Sequence, residues 1–135
     1  MGKVYNDMDV LKSVINDLIE GILQGDNKND FLEKNIKVNY HVKDPDFSFF
    51  LDPAKKDIYT EDISDSPDIS LTMESDFMHD FWLKKTNILE SIKKGYFKVE
   101  LAPYVATAKL IDLLPVLAKG LDVYPDICKK NGISI

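Results

Sequence analysis

The sequence predicts an α+β fold in which helices cover one face of a five-stranded, mostly antiparallel sheet. Several segments alternate apolar with polar residues, which is typical of strands that have one dry face and one wet face. Other segments repeat apolar residues every three or four positions, which is typical of amphipathic helices. Short turns rich in Asp, Pro and Gly separate the alternating segments, and such connections favour antiparallel neighbours.

The N-terminal part predicts one long helix followed by a loop and short strands. Apolar pairs that recur every four residues predict a helix over residues 7–24, which Asn6 or Asp7 would cap and Gly25 would end. Residues 26–30 are predicted to form a loop, because they are almost entirely polar. Strict alternation predicts a strand over residues 36–43, and the same dry face repeats over residues 47–51. A short third strand is predicted around residues 57–60, and with the fourth strand these would form an antiparallel meander.

The C-terminal part predicts the fourth strand, two short helices, the fifth strand and two further helices. Ser75 is a suitable N-cap for the first short helix, and Asn87 with Glu90 resembles a capping box at the start of the second. Pro103 is expected to open a strongly apolar helix, which Pro115 should kink or shorten. The fourth and fifth strands and the last helix are predicted around residues 69–73, 97–101 and 121–130.

Size and charge narrow the class of the protein. Residues 1–135 are expected to form one domain, since this length is close to the commonest domain size. The formal net charge of -6 argues against a nucleic-acid partner, because phosphate backbones are bound by clusters of Lys and Arg. Cys128 is the single cysteine, so no internal disulfide bond is expected. Neither a signal peptide nor a membrane-spanning segment is found, and a cytoplasmic location is therefore expected.

The sequence contains no recognisable arrangement for catalysis, metal binding or a cofactor. Cys128 has no histidine nearby in the sequence and is expected to be a small buried apolar side chain. His41 falls on the polar face of its strand, and His79 is predicted on the side of its helix away from the apolar residues. The acidic residues between 61 and 68 are expected to form a solvated loop. The chain is therefore not expected to be an enzyme.

Two segments resemble the signature strands of the sterol carrier protein family. They are Asp68-Ile69-Ser70-Leu71-Thr72 and Gly95-Tyr96-Phe97-Lys98-Val99, and the resemblance extends over residues 38–114. It implies a sheet whose helices enclose a hydrophobic tunnel that binds lipids without catalysis. For this chain, fatty acids, acyl-CoAs or phospholipids are expected rather than sterols. The residues that the resemblance places on the tunnel wall are Leu71, Met73, Phe77, Phe81, Trp82, Leu110, Leu113, Leu114 and Leu117.

Two hypotheses for function follow. The first is a carrier that binds or transfers a lipid in an apolar tunnel and contacts membranes transiently. The alternative is a protein-interaction module that keeps the fold with a filled core, and its partner could be a second copy of the chain. In this alternative, apolar residues near Val123 and Tyr124 are expected to lie on the surface.

Overall fold

The computed structural model describes residues 4–5, 7–63, 66–103 and 107–134, except for the side chains of residues 88, 89, 107 and 110. It contains helices and strands in an α+β order. The elements are α1 (Met8–Ile22), α2 (Gly25–Lys34), β1 (Val38–Lys43), β2 (Phe47–Leu51), β3 (Tyr59–Thr60), β4 (Ile69–Glu74), α3 (Ser75–Trp82), α4 (Ile88–Lys93), β5 (Phe97–Leu101), α5 (Thr107–Leu117) and α6 (Lys119–Lys130).

The sheet has five strands in the order β3-β2-β1-β4-β5. β1 and β4 are parallel, whereas the other neighbouring strands are antiparallel. The predicted five-stranded, mostly antiparallel sheet is thus confirmed. The expected meander of four strands is wrong at its last step, because β4 pairs with β1 and not with β3.

Asp68 helps to fix this crossover. Its carboxylate accepts a hydrogen bond from the backbone N–H of Lys37 at 2.8 Å, and its own N–H donates to the Lys37 carbonyl at 2.9 Å. The chain is therefore tied to the start of β1 just before β4 begins, and the two strands run in parallel from there. The sequence shows the acidic residue but not its partner, which lies 31 positions away.

β1 and β4 bury every second residue, as the alternation predicts. Val38, Tyr40 and Val42 of β1 are buried, and Tyr40 lies opposite Leu71 of β4. These side chains form a continuous core with the inner sides of α1, α2, α3, α5 and α6. Among the helices, α1 packs along α6, and α5 packs on α2 and α6.

The N-terminal region contains a second helix that the sequence does not predict. Residues 25–34 form α2, so the predicted loop over residues 26–30 is wrong. Gly25 has a φ of +55° and allows the chain to turn after α1 has ended, and the buried side chain of Phe31 anchors the otherwise polar helix. The cap of α1 is as predicted, since the Asp7 carboxylate accepts a hydrogen bond from the Val10 N–H at 2.9 Å.

The other helix starts are partly as predicted. Asn87 caps α4 by accepting a hydrogen bond from the Glu90 N–H at 3.0 Å. Ser75 is not a cap, because it is the first residue of α3 and its hydroxyl donates to the Asp44 carbonyl. Pro115 lies inside α5, which continues to Leu117, and the three residues after Pro103 lie outside the described part of the chain. Within the described residues, no helix is both long enough and apolar enough to cross a membrane.

Candidate functional site

A small void lies in the layer between the sheet and the helices. Its volume is about 30 Å³, close to the space that one water molecule occupies. A void with an apolar lining stays dry, because a water molecule inside it would find no hydrogen-bond partners. The lining side chains come from α1, α2, α3, α5 and three strands; they are Ile15, Leu18, Ile19, Ile22, Phe31, Val38, Tyr40, Phe49, Leu51, Leu71, Met78, Trp82, Leu113 and Leu117.

This void occupies the place where the resemblance implies a tunnel. Its volume is far below the few hundred cubic ångströms of a typical small-molecule site. Large side chains account for the difference, because Phe31, Tyr40 and Trp82 fill much of the layer. The structure therefore has a nearly filled interior in place of the expected open tunnel, and a lipid could enter only if the helices moved.

Four of the predicted wall residues line the void, namely Leu71, Trp82, Leu113 and Leu117. Met73 is buried but lies beside the void, where its sulfur accepts a hydrogen bond from the Tyr40 hydroxyl at 2.9 Å. These residues come from β4, α3 and α5, so the structure brings together elements that are distant in sequence.

The other predicted wall residues lie elsewhere. Phe77 and Phe81 are half-buried and pack on Phe97 of β5, with ring centroids 6.3 and 5.9 Å from it. Leu114 has 43% of its surface exposed and lies on the outer side of α5, which corrects its expected place in the interior. The helical repeat explains this, since adjacent residues of a helix point about 100° apart and Leu113 takes the inner position. The side chain of Leu110 is not among those described.

Several lining residues were not predicted. Ile15, Leu18 and Ile22 belong to the apolar stripe of α1, which the sequence does show. Phe31 was missed because residues 26–30 of α2 were taken for a loop; the adjacent apolar pair Phe31 and Leu32 after a polar segment was the available signal. Tyr40 is on the predicted dry face of β1, but its hydroxyl gave no reason to place it in the interior layer.

Trp82 is the most constrained side chain of the lining. Its six-membered ring lies against Gly120 of α6, where an added Cβ would be 2.5 Å from Cζ3. Glycine at this position therefore permits the close approach of α6 to the indole. The indole Nε1 is buried and makes no hydrogen bond with any described residue.

A buried polar network lies between the N-terminal segment, α3 and α6. The hydroxyls of Tyr5 and Tyr124 are 2.6 Å apart, and the Tyr124 hydroxyl is 2.7 Å from His79 Nδ1. Burial raises the pKa of both tyrosines, and burial is also the main cause of the lowered pKa of His79. A neutral imidazole is therefore favoured, and its unprotonated Nδ1 can accept a hydrogen bond from the Tyr124 hydroxyl.

This network corrects two sequence-based expectations. His79 is buried, with 6% of its surface exposed, although it was predicted on the polar side of its helix. Tyr124 is also fully buried, so it is not part of an interaction surface with Val123. Cys128 is buried as expected, and burial raises the pKa of its thiol. The described residues contain no group of three side chains suited to hold a metal ion.

Larger depressions occur on the surface, but their chemistry differs. One of them, of about 470 Å³, is open to solvent and lies between the end of α1 and β3. It is bordered by Glu20, Lys28, Lys56 and Asp57 as well as by apolar residues. Charged walls and wide exposure suit a polar or weakly held ligand better than a hydrocarbon chain.

The fold is similar to solved structures of sterol carrier proteins. The sterol carrier protein domain 2 of Helicoverpa armigera gives a TM-score of 0.61 at 19% identity, over 87% of this chain and 95% of that one. Sterol carrier protein 2 from Yarrowia lipolytica, in its apo form, gives 0.54 at 18% identity, over 84% and 88%. Sterol carrier protein 2 like 2 from Aedes aegypti gives 0.50 at 16% identity, over 81% and 97%.

This chain has the sterol carrier protein fold. The fold that the two signature-like strands imply is thus confirmed. The similarity is one of structure, because no protein-family model matches the sequence and no curated protein is similar to it in sequence. At this level of identity the comparison establishes the architecture, and function has to be argued from the interior itself.

Proposed function

We propose that the protein binds a lipid without catalysis, in the layer between the sheet and helices α1, α2 and α5. The observation that carries this proposal is the void of about 30 Å³, which lies in that layer and is lined by apolar side chains. The similar structures, which are named as sterol carrier proteins, support it. The void would be the closed form of a site that a lipid enlarges, with Leu71, Trp82, Leu113 and Leu117 on its wall.

Helix α5 is suited to act as the movable cover of this site. Its inner side chains Leu113 and Val116 are buried, whereas Ile111 and Leu114 on its outer side are exposed. Pro115 has no N–H to donate to the Ile111 carbonyl, so one backbone hydrogen bond is missing inside the helix. A helix with this defect bends at a lower cost than an uninterrupted one.

One side chain ties α5 to the N-terminal helices. Asn27 of α2 donates from Nδ2 to the Ile22 carbonyl at 2.5 Å and to the Val116 carbonyl at 3.1 Å. It therefore joins the end of α1 to α5 across the interior layer. Opening of the cover would break the second of these hydrogen bonds, whose net contribution is about 0.5–1.5 kcal/mol.

Transfer of the carbon chain from water can compensate for the displaced packing. An acyl chain with about 14 methylene groups gains about 0.8 kcal/mol for each, or about 11 kcal/mol before the cost of association. We expect the complex to contain one acyl-chain lipid, whose chain replaces contacts among Phe31, Leu113 and Leu117. No side chain is required to react with it.

Delivery of the lipid would involve transient contact between α5 and a membrane. Ile111 is 60% exposed and Leu114 is 43% exposed, and Lys109 and Lys119 lie near the two ends of the helix. The apolar pair would enter the interface while the lysines meet anionic headgroups. The net charge of -6 makes permanent attachment unfavourable, so the contact would be short-lived.

Native mass spectrometry of protein purified without detergent tests lipid binding directly. We expect a bound mass that matches a lipid, and we expect a fluorescent fatty acid to be displaced by unlabelled lipid. Leu113→Trp should reduce this binding, because it fills the interior layer, whereas Leu114→Trp on the exposed side should not. Protein that is always empty, together with no binding of the fluorescent probe, would rule out the proposed function.

A second candidate is the interaction module, and the nearly filled interior favours it. In that case the exposed apolar residues would form the contact surface, and Tyr96 at 52% exposure and Ile92 at 42% are suitable members. Sedimentation velocity separates the two functions. A self-association that Tyr96→Ser abolishes, with an interior that takes up no lipid, would support the module and contradict the carrier.

A further inference from the structure

Positive charge is concentrated between the end of α3 and β5, although the chain as a whole is acidic. Residues 80–98 contain five lysines and two acidic residues, so this segment has a net charge of +3, whereas the rest of the chain has a net charge of -9. Two of the lysines follow α3, two lie at the end of α4, and one is in β5. Such an asymmetry indicates that this surface meets a partner of negative charge.

Most of these lysines are available to an external partner. Lys94 forms an ion pair with Glu90, whose Oε1 is 2.9 Å from Lys94 Nζ. Lys84, Lys85 and Lys93 are exposed, and they form no ion pair with any residue that the structure describes. The solvent alone therefore compensates the charges of these three side chains, and anionic groups of a partner can take its place.

A cluster of aromatic rings lies beside the lysines. Tyr96 follows α4 and is 52% exposed, and its ring centroid lies 6.3 Å from that of Phe77 in α3. Phe77 and Phe81 are half-buried and pack on the buried ring of Phe97. The Lys84 N–H donates to the Phe81 carbonyl at 3.1 Å, so the lysine pair after α3 begins next to this cluster. The aromatic–lysine patch is defined by the outer rings and the lysines of the two helix ends, namely Phe77, Phe81, Tyr96, Lys84, Lys85, Lys93 and Lys94.

The residue types of the patch favour a membrane over a protein as the partner. All 17 basic residues of the chain are lysines. Protein interfaces are enriched in arginine and depleted in lysine, since a guanidinium group matches a carboxylate with two hydrogen bonds. Flexible lysines suit a diffuse layer of anionic headgroups instead. A tyrosine suits the same layer, because its ring is apolar and its hydroxyl is polar.

We infer that the aromatic–lysine patch docks the protein on anionic membranes, with the Tyr96 ring at the level of the headgroups and the lysines against their negative charges. This inference goes beyond the proposed function, because it does not require a lipid in the interior. The patch belongs to α3, α4 and the residues before β5, whereas the contact proposed for lipid delivery belongs to α5. Docking through the patch is therefore independent of the opening of α5.

Cosedimentation with vesicles tests the docking, and it compares phosphatidylcholine alone with phosphatidylcholine that contains about 30% phosphatidylserine. We expect the wild type to bind only the anionic vesicles, and about 1 M salt to remove this binding, because charges are then screened within about 3 Å. Lys84→Gln with Lys85→Gln should weaken binding by about 10- to 30-fold, since each lysine near an anionic surface contributes about fivefold. The matched control is Lys55→Gln with Lys56→Gln, which changes the net charge equally in an exposed lysine pair between β2 and β3.

Substitutions of Tyr96 test the aromatic part of the patch. Trp82 is the only tryptophan and is buried, so the wild type provides the background for a fluorescence measurement on Tyr96→Trp. We expect the emission of the added indole to shift to shorter wavelength on anionic vesicles, because the ring enters the interface. Tyr96→Ser should weaken vesicle binding, and circular dichroism should show an unchanged fold.

The possible results separate this inference from its alternatives. No binding of the wild type to anionic vesicles would overturn it, while lipid binding in the interior, measured by native mass spectrometry, would still stand or fall separately. An equal loss of binding in the Lys55 and Lys56 control would show a general attraction of charge and would also overturn it. Binding that Leu114→Ser abolishes and the patch variants leave unchanged would assign the membrane contact to α5 alone. Self-association that Tyr96→Ser abolishes, without vesicle binding, would make the patch a protein contact and contradict the inference.

Discussion

Truncation of Leu113 is the sharpest test of how α5 closes the interior. Leu113 is fully buried and lines the void. Removal of a buried leucine side chain costs about 2–5 kcal/mol of folding free energy, and the cost grows by about 24 cal/mol for each Å³ of cavity that remains. The void of about 30 Å³ is already present in the wild type, so only the volume that the deletion adds contributes to this cost. We therefore expect Leu113→Ala to lower the free energy of unfolding by about 2–5 kcal/mol.

Leu114→Ala is the matched control for this experiment. It makes the same chemical change at the next position of the same helix, but the side chain is 43% exposed, so a cost below about 1 kcal/mol is expected. Urea unfolding of both variants measures the difference. Equal costs, or a cost below about 1 kcal/mol for Leu113→Ala, would show that α5 does not pack as described. A lipid should restore more stability to Leu113→Ala than to the wild type, because the enlarged void accepts it with less displacement.

Three further predictions follow from other contacts. Gly120→Ala should destabilise the fold by about 1–3 kcal/mol and shift the fluorescence of Trp82, because the new methyl group collides with the indole. The control variant Gly21→Ala should cost less, since its methyl group would meet the Val123 side chain at 3.0 Å. A lower melting temperature for Gly21→Ala than for Gly120→Ala would refute the packing of α6. The folded protein lowers the pKa of His79 and so binds its proton less readily than the unfolded chain, whose pKa is about 6.5. Its contribution to stability is therefore kept above pH 6.5 and lost as the pH falls below that value; a melting temperature that drops equally from pH 7.5 to 5.5 in wild type and His79→Gln would exclude this cause. Asn27→Ala should cost about 1–3 kcal/mol in chemical unfolding and speed lipid uptake in stopped-flow measurements, whereas unchanged uptake would mean that its bond to Val116 does not restrain α5.

The elements that the sequence predicted well are those whose signal is local. Alternation located β1, β2, β4 and β5, because one face of each strand is more buried than the other; β2 departs from this only at Phe50, which is buried on the opposite face. The cap residues Asp7 and Asn87 were also predictable, since each contacts a backbone N–H three positions ahead.

The features that were missed depend on distant partners. α2 is polar apart from Phe31 and the exposed Leu32, and the burial of the Phe31 ring in the core stabilises the segment as a helix. The parallel pairing of β4 with β1 depends on Asp68 and Lys37, which do not form a recognisable local pattern. His79 and Tyr124 look like surface residues in sequence, and their burial is favourable because they hydrogen-bond each other and Tyr124 also bonds Tyr5.

Only some of the predicted wall residues line the void, because a residue's place also depends on packing between distant elements. The apolar excess of α5 showed that the helix belongs to the interior but not which side faces inward, because apolar residues occur on both sides. The resemblance placed Phe77 and Phe81 on the wall, whereas in the structure their rings pack on Phe97 of β5. Side-chain type alone therefore predicted the layer, and the helical register decided which residues line the void.

The burial of Cys128 gives the protein a built-in reporter of its own motion. The chain has a single thiol, which lies on the buried side of α6 and is less readily ionised because burial raises its pKa. A water-soluble thiol reagent can reach it only during the moments when that helix separates from its neighbours. The labelling rate therefore measures how often α6 separates from its neighbours. A slower rate after a lipid is added would show that the bound lipid stabilises the closed structure.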